Sequence, residues 1–206
     1  MKKNYKSTVN ACFAGYVVQS IVNNFVPLLF LTFNKSYGIE LSKITALITV
    51  NFILQLIIDL LSAFFIDKIG YRAAAVAAHV FAAAGLVSLT VLPDILPSPF
   101  VGLLISVMLY AVGGGLLEVI VSPIVEACPT DNKEKMMSLL HSFYCWGSVA
   151  VVGLSTLYFS VFTTANWKYL ALLWAVVPAV NALNFVRVPI APLIEDGEKG
   201  LSFKEL

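Results

Sequence analysis

Four ionisable side chains, Asp59, His79, Glu118 and His141, lie inside long apolar stretches of the 206-residue sequence. A charge in the middle of a bilayer costs about 2.5–3.5 kcal/mol on insertion scales and persists mainly where it faces a cavity or a partner. A carboxyl so placed can take a proton from one side and release it to the other, which is the chemistry of proton coupling. Glu118 and Asp59 are the candidates for that role. Histidine as a residue type exchanges protons near neutrality, so His141 is able to relay a proton from Glu118, although a histidine near a helix end is as often bonded to a backbone carbonyl. His79 has no polar companion at helical spacing and reads as packing. Asn51, Gln55 and Asp59 recur at i, i+4 and i+8, so they share one helix face, which should look inward. Tyr144, three residues beyond His141 and on nearly the same face, is the aromatic residue best placed to meet a solute.

The elements that must position these residues follow from composition. Charged residues make up 12% of the chain and hydrophobic ones 59%, whereas a soluble domain carries about 25% charged residues. Such a chain cannot cover itself with polar surface, so its length counts bilayer crossings of about 20 residues each. Charged or proline-containing breaks divide it into six apolar runs, 11–33, 44–66, 73–92, 100–121, 138–162 and 167–186. The first is too long, and too polar at Asn23 and Asn24, for a signal-peptide core. With no water in the bilayer core every backbone amide must be bonded within its own segment, which makes the runs helices. The expected fold is therefore an all-α membrane protein, a six-helix bundle over 1–188 with a polar linker or tail over 189–206.

Charge sets the expected orientation, because lysine and arginine near helix ends stay in the cytoplasm. With the amino terminus inside, Lys2, Lys3, Lys6, Lys68, Arg72, Lys133, Lys135, Arg187, Lys199 and Lys204 are cytoplasmic, and Lys35, Lys43 and Lys168 are outside. Both termini then face the cytoplasm of a cell bounded by its plasma membrane. Counted from the inner loops at 1.5 Å per residue, Asp59, Glu118 and His141 fall at about 8–12 Å depth and can form one layer. The net charge of +1 gives no reason to expect nucleic acid. Cys12, Cys128 and Cys145 have neither metal nor disulfide spacing and read as packing residues, and no metal or cofactor is expected.

Between the second and third runs stands Ala63-Phe64-Phe65-Ile66-Asp67-Lys68-Ile69-Gly70-Tyr71-Arg72. It suits a tight inner turn: Gly70 supplies an unusual backbone angle, Asp67 meets the positive start of the next helix, and Lys68 and Arg72 hold the turn inside. This stretch resembles the major facilitator superfamily signature G-x-x-x-D-[RK]-x-G-x-[RK], with Ala63 in place of the glycine and Tyr71 where a basic residue is common. Gly113-Gly114-Gly115-Leu116-Leu117-Glu118, Ser122-Pro123, the Asn23-Asn24 pair, and Leu139 to Tyr144 with Trp146-Gly147 are similar to the fucose permease branch of that superfamily. Serine here replaces the asparagine of an Asn-Pro pair, and Pro27 stands where the branch has a cavity aspartate.

The resemblance covers nearly the whole chain but only the first half of a twelve-helix family. It implies two inverted three-helix repeats and a secondary transporter that works by alternating access, coupled to protons and moving a small polar solute such as a sugar. It also implies that Glu118 is a proton or substrate-hydroxyl site, and that a second six-helix half completes the pathway as a continuation, a separate chain or a second copy. Two other readings compete. An intramembrane hydrolase needs a serine beside a histidine, and Ser148 lies seven residues from His141, without a Gly-x-Ser-x-Gly turn. A six-helix module that only binds partners leaves Asp59 and Glu118 without purpose. The Gly113–Gly115 run is not a phosphate cradle, since no Lys-Ser/Thr follows it, and fits close helix packing.

Overall fold

The computed structural model describes residues 5–193 and, among them, every side chain but that of Ala63. The Ala63 side chain, the terminal Lys2 and Lys3, and Lys199 and Lys204 of the tail lie outside the described residues. Among the described residues the regular elements are all helices, the α-helices being α1 (Lys6–Asn24), α2 (Phe30–Tyr37), α3 (Leu41–Ile69), α4 (Tyr71–Ile95), α5 (Pro99–Ala127), α6 (Lys133–Phe162) and α7 (Trp167–Arg187). Joined by a short 3₁₀ turn over Val26–Leu29, α1 and α2 make the first of six crossings that are long and apolar enough to span a bilayer. The protein is a multi-pass membrane protein.

Two features of the helices depart from the sequence reading. The first crossing is broken after Asn24, because Pro27 has no N–H to give to the turn before it and fixes its own φ. The remaining helices run past their apolar cores. Pro93 and Pro123, expected to end the third and fourth runs, lie inside α4 and α5. Each removes one backbone donor close to a helix end, a loss that membrane helices tolerate. At the start of α6, five residues before the expected boundary, the Asn132 side chain accepts from the Lys135 N–H at 2.8 Å and so extends the helix into its charged first turn.

Packing brings out the two repeats. The first crossing lies against α6, and the fourth, α5, lies against α3, so each repeat lends its middle helix to the other repeat's first. The third and sixth crossings, α4 and α7, pack on one another, and α4 packs along α5. That last seam is close because Gly113 presents only hydrogen: a Cβ there would sit 2.5 Å from the Ala78 carbonyl oxygen and 2.7 Å from the Ala82 nitrogen. On the other side of α5, a Cβ at Gly115 would sit 2.9 Å from the Gln55 carbonyl oxygen of α3. The glycine run thus lets α5 touch two neighbouring backbones at once.

The α3–α4 connection is one residue long. Gly70 has φ +83°, a left-handed value that glycine adopts at little cost. No side chain caps the start of α4 with a hydrogen bond, while Asp67, in the last turn of α3, is close enough to Tyr71 at the start of α4 to interact electrostatically with it. Arg72 instead reaches across to the end of α7, where its Nη1 donates to the Phe185 oxygen at 2.7 Å and the Val186 oxygen at 2.9 Å. A guanidinium at a helix carboxyl end satisfies the last carbonyls and opposes the negative end of the dipole.

Candidate functional site

A polar cleft of about 650 Å³ opens between α1, α3, α5 and α6. Helix α1 contributes Tyr16, Gln19 and Asn23, at i, i+3 and i+7. Helix α3 contributes Gln55 and Asp59 with the apolar Phe52 and Leu56. Glu118 and Ser122 project from α5, one turn apart, and His141, Tyr144 and Cys145 from α6. No lysine or arginine lines the cleft among the described residues.

The cleft is organised around amides. Asn23 Oδ1 accepts from Gln55 Nε2 at 2.8 Å and from Asn51 Nδ2 at 3.2 Å, and Gln55 Nε2 also donates to Asn51 Oδ1 at 2.9 Å. Asn51 and Gln55 are 3% and 4% exposed, so water does not compete for these bonds. Asn23 Nδ2 donates to the Tyr144 hydroxyl at 3.3 Å, which carries the chain of bonds from α3 through α1 to α6. Gln19 Nε2 donates to Glu118 Oε2 at 3.2 Å, and Tyr16 and Ser122 share a hydroxyl–hydroxyl bond of 2.9 Å. The Tyr16 ring lies 5.7 Å from the His141 ring and 6.2 Å from that of Tyr144. Asp59 and Glu118 are close enough for their charges to interact, and among the described residues the side-chain hydrogen bond to Glu118 comes from a neutral amide.

Of the residues singled out from sequence, Asn23, Gln55, Asp59, Glu118, His141 and Tyr144 meet in this cleft. Asn24 does not. It faces the α1–α6 seam, donating to the Ser20 carbonyl at 2.8 Å and to Ser148 Oγ at 3.1 Å, because one residue along a helix turns a side chain by about 100°. Ser148 is held there by Asn24 and by the Tyr144 carbonyl at 3.0 Å, not by His141. Cys145, read as packing, is exposed and lines the cleft, whereas Cys12 and Cys128 are buried. The inner-loop residues Asp67, Lys68, Gly70 and Arg72 lie at the α3–α4 junction, away from the cleft.

Sequence reasoning missed Tyr16 and Gln19, whose spacing with Asn23 was a legible signal, and a second polar cluster. His79, which has no polar companion on its own helix, finds one on α7. Its Nδ1 pairs with the Ala75 oxygen at 2.7 Å, and its Nε2 meets Asn181 Nδ2 at 2.7 Å. Asn181 also donates to the Ala11 oxygen of α1 at 2.9 Å. The two side chains are 0% and 2% exposed.

Residues 11–203 match the family profile of the Major Facilitator Superfamily. The chain belongs to that superfamily. No curated protein sequence matches it, but solved structures do at low identity. The inward-open xylose transporter XylE from E. coli superposes with a TM-score of 0.80 at 15% identity, over 92% of this chain and 49% of that one. A D-xylose-proton symporter gives 0.78 at 15% identity, over 90% and 48%. The proton:xylose symporter XylE bound to 6-bromo-6-deoxy-D-glucose gives 0.75 at 13%, over 90% and 45%. The chain therefore has the fold of one half of these proteins and spans about half their length.

Proposed function

We propose that this chain is one six-helix half of a secondary active transporter that moves a small polar solute such as a sugar, coupled to protons, by alternating access. The observation that carries the reading is the pair of carboxylates, Asp59 and Glu118, facing one polar cleft in which no described residue is a lysine or arginine. Carboxyl groups without a cationic partner at this depth persist where they serve a purpose, and a proton is the natural companion of a neutral solute. The neutral donors and acceptors around them, Gln19, Asn23, Ser122 and Tyr144, suit hydroxyl groups. The similarity of the fold to xylose symporters supports a sugar. Within the superfamily, the Asn23-Asn24 and Glu118-to-Pro123 patterns argue for the fucose permease branch.

The cleft is walled on this chain's side only. Helices α3 and α6 bury the least of themselves within the chain, and Phe52, Leu56 and Leu60 at four-residue spacing face out of α3. A second six-helix half set against α3 and α6 covers these faces and closes the pathway. Arg72 meets the end of α7, and Lys6 and Lys133 share one depression at the starts of α1 and α6. This grouping of cations supports the cytoplasmic assignment of both termini, in the cell membrane.

The test is uptake of radiolabelled D-xylose into proteoliposomes that hold this chain with its complementary half, under an imposed pH gradient. Glu118→Gln, which keeps the amide contact to Gln19 and removes the titrating group, is expected to reach the membrane normally and to lose acceleration by the gradient. Unchanged proton-driven uptake in that variant reduces Glu118 to a structural residue.

A further inference from the structure

The direction of the hydrogen bonds at Asn23 has a consequence for Tyr144. An amide oxygen has two lone pairs, and both of those on Asn23 are taken, one by Gln55 and one by Asn51. Gln55 spends its own amide group on Asn23 and Asn51, and both α3 residues are buried, so with these two amides set as they are, rotating the Asn23 side chain alone would set one NH₂ group against two others. The Asn23 NH₂ group is thereby turned to α6, and the Tyr144 oxygen accepts from it. A phenol whose oxygen accepts keeps its single O–H to give elsewhere, and Tyr144 lines the cleft.

We infer that Tyr144 is a hydrogen-bond donor that the cleft offers to an acceptor oxygen of its solute, and that Asn23 is a positioning residue that fixes this direction. The solute half of the statement rests on the transport reading above, whereas the direction of the bond does not. The chemistry narrows the solute class. The same cleft presents the acceptors Asp59 and Glu118. A hydroxyl group suits both kinds of partner, taking the Tyr144 proton on its oxygen and giving its own to a carboxylate. A polyhydroxylated solute makes that contact repeatedly, and one without an acceptor oxygen leaves the Tyr144 donor unmet.

Two measurements test the proposal. The Raman doublet of tyrosine distinguishes a phenol that accepts a hydrogen bond from one that only donates, and subtracting the spectrum of Tyr144→Phe from that of the wild type isolates Tyr144. The wild type is expected to show the accepting signature. Asn23→Asp, whose second oxygen takes the Tyr144 proton, is expected to shift it to the donating one. A wild-type Tyr144 that only donates overturns the inference without any variant, and so does an Asn23→Asp spectrum that does not move.

The second measurement is equilibrium binding of radiolabelled D-xylose. Tyr144→Phe and Asn23→Asp are each expected to weaken it by roughly 3- to 10-fold, the loss of one neutral hydrogen bond. The double variant is expected to be no weaker than Tyr144→Phe alone, since both changes remove the same donor. Losses that multiply overturn the positioning role. Wild-type protein that does not bind D-xylose counts against the sugar reading, while the Raman result still decides the direction of the Tyr144 bond.

Discussion

The bundle holds two polar clusters of opposite design. In the cleft, Glu118 and Asp59 have neutral company, and Tyr144 keeps a donor to spare. At the α1–α4–α7 junction, His79 and Asn181 are sealed from solvent, both ring nitrogens of His79 are engaged, and Asn181 also bridges to the Ala11 carbonyl. One cluster has bonding capacity left for something that is not protein. The other is closed on itself and ties three helices together. Polarity inside a membrane protein is therefore not by itself a mark of function, and what separates the two is unspent hydrogen-bonding capacity at an open surface.

The comparison breaks most easily at its rigid side. Gly113→Val drives a side chain into the Ala78 carbonyl and the α4 backbone. It should cost about 3 kcal/mol of stability in a detergent-titration unfolding measurement, or prevent accumulation of folded protein. Removing one partner of the sealed pair is the next largest effect. His79→Leu leaves Asn181 with a buried donor unmet and should cost about 1–2 kcal/mol. The double variant His79→Leu, Asn181→Leu should recover most of that loss, because the groups it strips of a partner are the exposed Asn184 amide and the Ala11 carbonyl, which the α1 ladder still serves. The smallest effect belongs to the cleft. Glu118→Gln should change unfolding by less than about 0.5 kcal/mol while removing the pH response of uptake, and a large loss of stability there would erase the distinction between the two clusters.

Much of this was legible in the chain itself. Six crossings follow from apolar runs, since backbone amides in a bilayer have no partner but their own helix. The inward face of α3 follows from the four-residue spacing of Asn51, Gln55 and Asp59, and the φ of Gly70 from a turn too short for any other residue. The His79–Asn181 bond was not legible, because its partners are 102 positions apart and neither helix shows a polar stripe that points to the other. Asn23 and Asn24 illustrate the limit within a single motif. Adjacent and chemically identical, they part by one helical step, one to the cleft and the other to the α6 seam. Arg72 was expected to anchor a loop, yet it serves the far end of α7, a contact that only the packing of α4 on α7 brings into reach.

The backbone contact of α5 with α4 at Gly113 bears on how the cleft deforms. Helices that touch main chain to main chain have no layer of side chains between them to repack, so α4 and α5 form one stiff pair. The wall that carries Glu118 and Ser122 is then the fixed jaw of a vice. The opposite wall, where α1 is broken at Pro27 and meets α6 through the side chains of Asn23, Asn24 and Tyr144, is the jaw with compliance.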